Sequence, residues 1–181
     1  NNARPLADCT CAMPILYNLM AGRDCAPVRD TEDAPHMSTM FSQGLYELMD
    51  SYDGCIMDQW GVLHNGVQAY DGVVDTLNHL RQRKKQVIIL SNSAKRSDDN
   101  VERLKKLGIK PTLYKEVVTA GEVTWQGLKD QKDAPFKGLG NKCYLISRPD
   151  DFALLEGLPI ERVTDIDEAQ FILNTGFDSA N

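Results

Sequence analysis

From Leu45 onward, short apolar runs alternate with segments whose apolar positions recur at helical spacing. Gly54-Cys55-Ile56-Met57 reads as a buried strand that ends at Asp58. Residues 71 to 84 place Val74, Leu77 and Leu80 on one helical face and close with basic residues, which complement the carbonyl end of the helix dipole. Val87-Ile88-Ile89-Leu90 is a continuous apolar run of the kind a strand covered on both faces shows. The next helix is expected with Ser97 as N-cap, Asp98 and Asp99 in its first turn, and Val101, Leu104 and Leu107 on one face, stopping at Gly108. Glu116-Val117-Val118-Thr119 follows as a strand, then a helix over 120 to 130 and a polar loop from Lys132 to Asn141. Cys143 to Ile146 reads as another strand, the stretch around Phe152 to Leu155 as a short helix, and Arg162-Val163 and Phe171-Ile172-Leu173 as two more short strands.

This alternation predicts an α/β fold, a parallel sheet with helices on both faces. Ligands in such sheets bind beyond the carboxyl ends of the strands. Two polar groups stand at those ends, Asp58 after the first strand and Ser91 after the second. Residues 1 to about 40 differ: Pro5, Pro14, Pro27 and Pro35 interrupt short apolar pieces without a sustained period. They read as a disordered or non-native leader, with Met37 a plausible natural start and 41–181 as the folded part.

Composition narrows the function. The chain has 181 residues, 42% hydrophobic and 25% charged, as a globular domain does. A net charge of −6 argues against a nucleic-acid or acidic-membrane partner. No apolar stretch approaches the roughly 20 residues of a membrane span, which suggests a soluble, cytoplasmic protein. The five cysteines (Cys9, Cys11, Cys25, Cys55 and Cys143) lack zinc-site spacing and read as reduced thiols. Neither Gly-x-Gly-x-x-Gly nor Gly-x-x-x-x-Gly-Lys-Ser/Thr occurs; Gly138-Leu139-Gly140 precedes a strand, the wrong order for phosphate binding at a helix start.

The chemistry therefore rests on the strand ends. A carboxylate held rigidly after a buried strand can attack phosphorus if a divalent cation offsets the repulsion between two anions. Gly61 lets the next turn bring backbone N–H groups toward an anion. Ser91 and Asn92 can hydrogen-bond a phosphoryl group without adding charge. Lys95 and Arg96 either supply positive charge at the rim or are simply solvated.

Asp58-Gln59-Trp60-Gly61-Val62-Leu63 resembles the first motif of the haloacid dehalogenase-like (HAD) hydrolases, Asp-x-Asp-Gly-Val/Thr-Leu/Ile. Val87 to Ser93 resembles their second, a hydrophobic strand ending in Ser or Thr. The Ser91-Asn92-Ser93 form, the basic pair after it and His64-Asn65-Gly66 are similar to the class IIA branch, which includes nitrophenylphosphatase-like and pyridoxal-phosphate-phosphatase-like enzymes. Thr119-Ala120 ahead of a helix and Thr175-Gly176-Phe177-Asp178 near the end follow the same order of elements. The resemblance implies a Rossmann-like HAD core truncated near the start of its cap domain. It implies Asp58 as nucleophile and Mg²⁺ ligand, the Trp60 backbone carbonyl as a second Mg²⁺ ligand, and Ser91 and Asn92 as phosphate contacts. The implied partner is a small phosphorylated substrate, with self-association into a homo-oligomer left open.

The chain departs from that pattern in three respects. Trp60 stands where the family has its acid–base Asp, whose loss typically costs about 100- to 10,000-fold; indole cannot titrate in its place. His64 is a candidate substitute by its pKa. The family's downstream Lys and acidic motif have no counterpart, and the cap that selects substrate is missing, so the fragment is expected to bind Mg²⁺ poorly and to lack activity. Its sheet edge is expected to favour aggregation. Two readings compete with a Mg²⁺-dependent phosphatase. One is a metal-independent dehalogenase-type hydrolase, compatible with Trp60; the other is a non-catalytic module that binds a phosphorylated ligand or a protein.

Overall fold

A computed structural model describes residues 44–149 and 151–176. The expectations for the leader, for Met37, Cys9, Cys11 and Cys25, and for Phe177 and Asp178 lie outside the described residues.

A short helix α1 (Leu45–Met49) precedes strand β1 (Gly54–Met57). Helix α2 (Val73–Gln82) leads to β2 (Gln86–Ser91), and α3 (Ser97–Lys106) with a 3₁₀ turn (Pro111–Leu113) leads to β3 (Glu116–Thr119). All three strands are parallel, in the order β1-β2-β3. Met57 pairs with Ile89 and Ser91 with Thr119, so Asp58, Ser91 and Thr119 emerge together at the carboxyl end of the sheet.

The helical spacing explains the packing. Leu77 and Leu80 of α2 and Leu104 of α3 are buried in one cluster with Val87, Ile89 and Val117. Cys55 and Met57 of β1 face the same side, as period-2 alternation requires. Ile88 and Val118 point the other way and are also buried, which accounts for the unbroken apolar runs.

Helix α4 (Ala120–Asp130) follows β3 directly. Thr119 Oγ1 accepts from the Glu122 N–H at 3.0 Å and caps it, the Thr-x-x-Glu arrangement that signals a helix start. The N-terminal turn of α4 lies against the loop after β2: a Cβ on Gly121 would collide with the Ala94 carbonyl, so only glycine fits. At the other end, Leu128 enters a second core with Cys143 and Leu155. That core supports a separate parallel sheet of β4 (Lys142–Ile146), β5 (Glu161–Val163) and β6 (Phe171–Asn174), in the order β5-β4-β6. The expected parallel α/β architecture is present, and among the described residues the six strands divide into two sheets rather than one.

Two local expectations change. The segment around Phe152 to Leu155 is a single 3₁₀ turn (Ala153–Leu155). Ser97 is the first helical residue of α3 and not its cap; its N–H donates instead to the Glu122 carboxylate of α4 at 3.3 Å. Among the described residues, no helix is long and apolar enough to cross a membrane.

Candidate active site

Asp58 is exposed just past β1, and its Oδ1 accepts the Gln59 N–H at 2.7 Å. That bond fixes the carboxylate with one oxygen toward the backbone and leaves Oδ2 without a partner among the described residues. The chain then turns tightly. The Gln59 carbonyl receives the Leu63 N–H at 2.8 Å and the His64 N–H at 3.2 Å, while Gly61 N–H donates to the His64 carbonyl at 2.8 Å. The turn thus consumes the N–H groups of Gly61, Leu63 and His64. The expected cradle of backbone donors at Gly61 is not formed, because hydrogen bonds inside the turn win.

Trp60 projects outward from this turn, 58% exposed. Its indole lies over Gly66, where any Cβ would strike the ring and where φ is +93°. Its ring also meets His64 edge-on at 5.7 Å between centroids, and the Arg103 guanidinium sits 5.0 Å from it. Glycine at position 66 is therefore required twice over, by its backbone conformation and by the ring.

His64 is 1% exposed. Its Nδ1 accepts the Gly66 N–H at 3.0 Å, so the free ring position is Nε2–H, which finds no partner among the described residues. Burial pushes its pKa down and the Arg103 charge pushes further, with Asp58 pulling weakly back. A neutral imidazole whose lone pair is spent on a backbone N–H can donate but cannot take up a proton. His64 does not replace the missing carboxylate as a base.

Gln59, between nucleophile and indole, is 4% exposed and turns inward. Its Nε2 donates to Ser91 Oγ at 2.7 Å and to Asn100 Oδ1 at 2.8 Å. Asn100, on α3, donates to the Arg96 carbonyl at 2.9 Å. This buried network joins the Asp58 turn to the end of β2 and to α3. Neither amide was singled out by sequence reasoning. A signal existed for Asn100, which stands four residues before buried Leu104 and so on the inward face, where a polar group needs partners.

Asn92 is exposed and makes no side-chain hydrogen bond among the described residues. Arg96 is half-buried and not free for an anion. It forms a forked ion pair with Glu122, at 2.6 and 3.0 Å, and lies 3.9 Å from the Trp125 ring centroid. This contact holds the Arg96 pKa up and the Glu122 pKa down. Lys95 is exposed, and its carbonyl is held by Thr119 Oγ1 at 2.8 Å. A small pocket between this loop and the segments around Leu154 and Thr175 is lined by Lys95, Arg96, Asp99, Leu154 and Thr175 and includes neither Asp58 nor Ser91.

Mg²⁺ asks for about six oxygen ligands in near-octahedral order. The Asp58 carboxylate and the Trp60 carbonyl, which receives no hydrogen bond among the described residues, fit two of them. No cluster of three His, Cys, Asp or Glu exists among the described residues. The donors fit part of a Mg²⁺ shell, with the remainder left to water, substrate or other chain.

Comparison with known proteins gives three results. A family model described as haloacid dehalogenase-like hydrolase matches residues 55–161. No curated protein matches. Among solved structures, a haloacid dehalogenase-like hydrolase from Brucella suis is 28% identical with a TM-score of 0.64, over 76% of this chain and 49% of its own. The 4-nitrophenylphosphatase of Thermotoga maritima is 22% identical with a TM-score of 0.53, over 73% of this chain and 47% of its own. A glycerol phosphate phosphatase of Mycobacterium tuberculosis, solved with calcium, is 21% identical with a TM-score of 0.51, over 73% of this chain and 37% of its own. The chain thus spans about half the length of these structures or less.

Proposed function

The chain belongs to the haloacid dehalogenase-like hydrolase family, and from that premise we propose that the protein is a Mg²⁺-dependent phosphatase of small phosphomonoesters working through an aspartyl-phosphate at Asp58. The observation that carries this reading is the pairing of an exposed, backbone-anchored Asp58 with Ser91 across one buried amide. The phosphatases among the structural neighbours agree with it.

In the reaction, Asp58 Oδ2 attacks phosphorus while Oδ1 stays on the Gln59 N–H. The bond from phosphorus to the leaving oxygen breaks, and the phosphoryl group passes to the carboxylate. Ser91 and Asn92 hold phosphoryl oxygens. Water then attacks the acyl phosphate and frees Asp58. Bound Mg²⁺, on the Asp58 carboxylate and the Trp60 carbonyl, would neutralise charge between the two anions. With Trp60 in place of an acid, no side chain two residues on can protonate the departing alkoxide. The site thus favours leaving groups stable as anions, such as phenolates, over alkyl alcohols. A cytoplasmic setting suits this chemistry.

The test is phosphate release by the intact protein on a panel of phosphomonoesters, with and without Mg²⁺, beside Asp58→Asn. Release that needs both Mg²⁺ and Asp58 supports the phosphatase. Trp60 also suits a dehalogenase-type hydrolase; turnover of a haloacid without metal, and none of phosphomonoesters, would favour that reading.

A further inference from the structure

The network behind Asp58 has a direction, set by a backbone carbonyl. The Arg96 carbonyl can only accept, so the Asn100 atom 2.9 Å from it is the amide nitrogen. Asn100 Oδ1 then faces Gln59 at 2.8 Å, and Gln59 must present Nε2. The same Nε2 donates its second hydrogen to Ser91 Oγ at 2.7 Å. Ser91 Oγ also accepts the Ser93 N–H at 3.2 Å.

A hydroxyl has two acceptor lone pairs and one donor hydrogen. Both Ser91 lone pairs are occupied, and no described residue accepts its hydrogen. The arrangement is kept although it leaves Gln59 Oε1 buried without a partner. Buried polar groups are normally satisfied, so this orphan marks orientation held at the expense of stability.

We propose that Gln59, locked by Asn100, is a positioning residue that makes Ser91 a one-way donor, its hydrogen reserved for an anionic oxygen of the phosphoryl group at Asp58. The inference rests on the phosphatase reading above and deepens it. A free serine hydroxyl must reorient when an anion arrives, whereas this one is already committed, and a donor fixed in advance costs no reorganisation during the reaction. Gln59 itself touches no substrate.

The test measures binding of inorganic phosphate to the intact protein with Mg²⁺ by calorimetry. Losing one hydrogen bond to an anion typically weakens binding about tenfold, the effect expected of Ser91→Ala. Gln59→Met should weaken it by roughly three- to tenfold, because the hydroxyl becomes free to rotate. Gln59→Glu should weaken it more, since a carboxylate there recaptures the Ser91 hydrogen. In the Ser91→Ala background the uncharged Gln59→Met should be silent, within about twofold, because the residue acts only through that hydroxyl. Losses that add to that of Ser91→Ala, or a Gln59→Met protein that binds like wild type, overturn the proposal. The equally uncharged Gln59→Leu, alone and with Ser91→Ala, carries the test if Gln59→Met does not fold. Wild type that shows neither phosphate binding nor Asp58-dependent turnover fails the phosphatase reading itself, a different result from silent Gln59 variants.

Discussion

At position 60 an indole occupies the place where the family keeps a carboxylate, and its surroundings show what it does instead. It covers Gly66 and takes the Arg103 guanidinium on its face, a contact worth about 0.5–1 kcal/mol at an exposed site. Trp60→Asp gives up that packing and restores a proton donor. We expect turnover of an alkyl phosphomonoester to rise by about 100-fold, and that of 4-nitrophenyl phosphate much less, because nitrophenolate needs no proton to leave. The ratio of the two kcat values checks this; an unchanged ratio would place the acid elsewhere. His64 next to it is a stability element with a definite sign. Its pKa lies below the ordinary value near 6.5 when folded, so between the two values the unfolded chain binds the extra proton. The stability it contributes is fully present above about pH 6.5 and declines as pH falls below that, by at most about 1.4 kcal/mol per pH unit. Urea unfolding at pH 7.5 and 5.5 should show wild type losing more than His64→Asn, whose oxygen can still accept the Gly66 N–H. Equal losses would remove His64 from the acid response.

Between elements, the decisive contact is the fork of Arg96 on Glu122 with Trp125 stacked beside it. It ties the loop after β2 to α4, and Glu122 also receives the first N–H of α3, so one carboxylate serves two helices and an ion pair. Arg96→Lys keeps the charge and loses both fork and stack. It should destabilise this joint by about 1–2 kcal/mol, visible as faster amide exchange at residues 93–97 and in the first turn of α4. Exchange confined to α4 would mean that the loop is held by Thr119 and Gly121 alone. This joint also shows what could be read from the sequence. Helices α2 and α3 were legible because Leu77, Leu80 and Leu104 sit at helical spacing, and β1 to β3 because apolar runs of strand length end at polar residues. Asp58 and Ser91 were legible for the same reason, since a polar group directly after a buried strand is conspicuous. The cap of α3 was not, because its acceptor is Glu122, 25 residues away. Nor was the division into two sheets. Apolar runs mark strands but do not name their partners, and Cys143 reads alike in either sheet. Gln59 escaped notice because a polar side chain in a turn looks solvated until its inward direction is known.

For the whole molecule, the position of β1 matters most. It carries the nucleophile, yet among the described residues it pairs with β2 alone, and Ile56 on the face away from α2 and α3 is 41% exposed. Parallel strands are ordinarily covered on both faces. An apolar edge open to solvent is a template for another strand. The structures compared are about one and a half to two times this length, so in a longer chain the edge need not stay open. In the 181-residue chain by itself it is expected to drive concentration-dependent association. Ile56→Lys places a charge on that edge strand without touching the core cluster of Cys55, Met57 and Ile89, and should shift the chain toward monomer while leaving its thermal midpoint nearly unchanged. Sedimentation velocity over a hundredfold range of concentration reads both proteins. If wild type stays monomeric throughout, the β1 edge is protected and association has no part in how this nucleophile is held; if the lysine variant alone becomes monomeric, the strand that bears Asp58 is the one that seeks a partner.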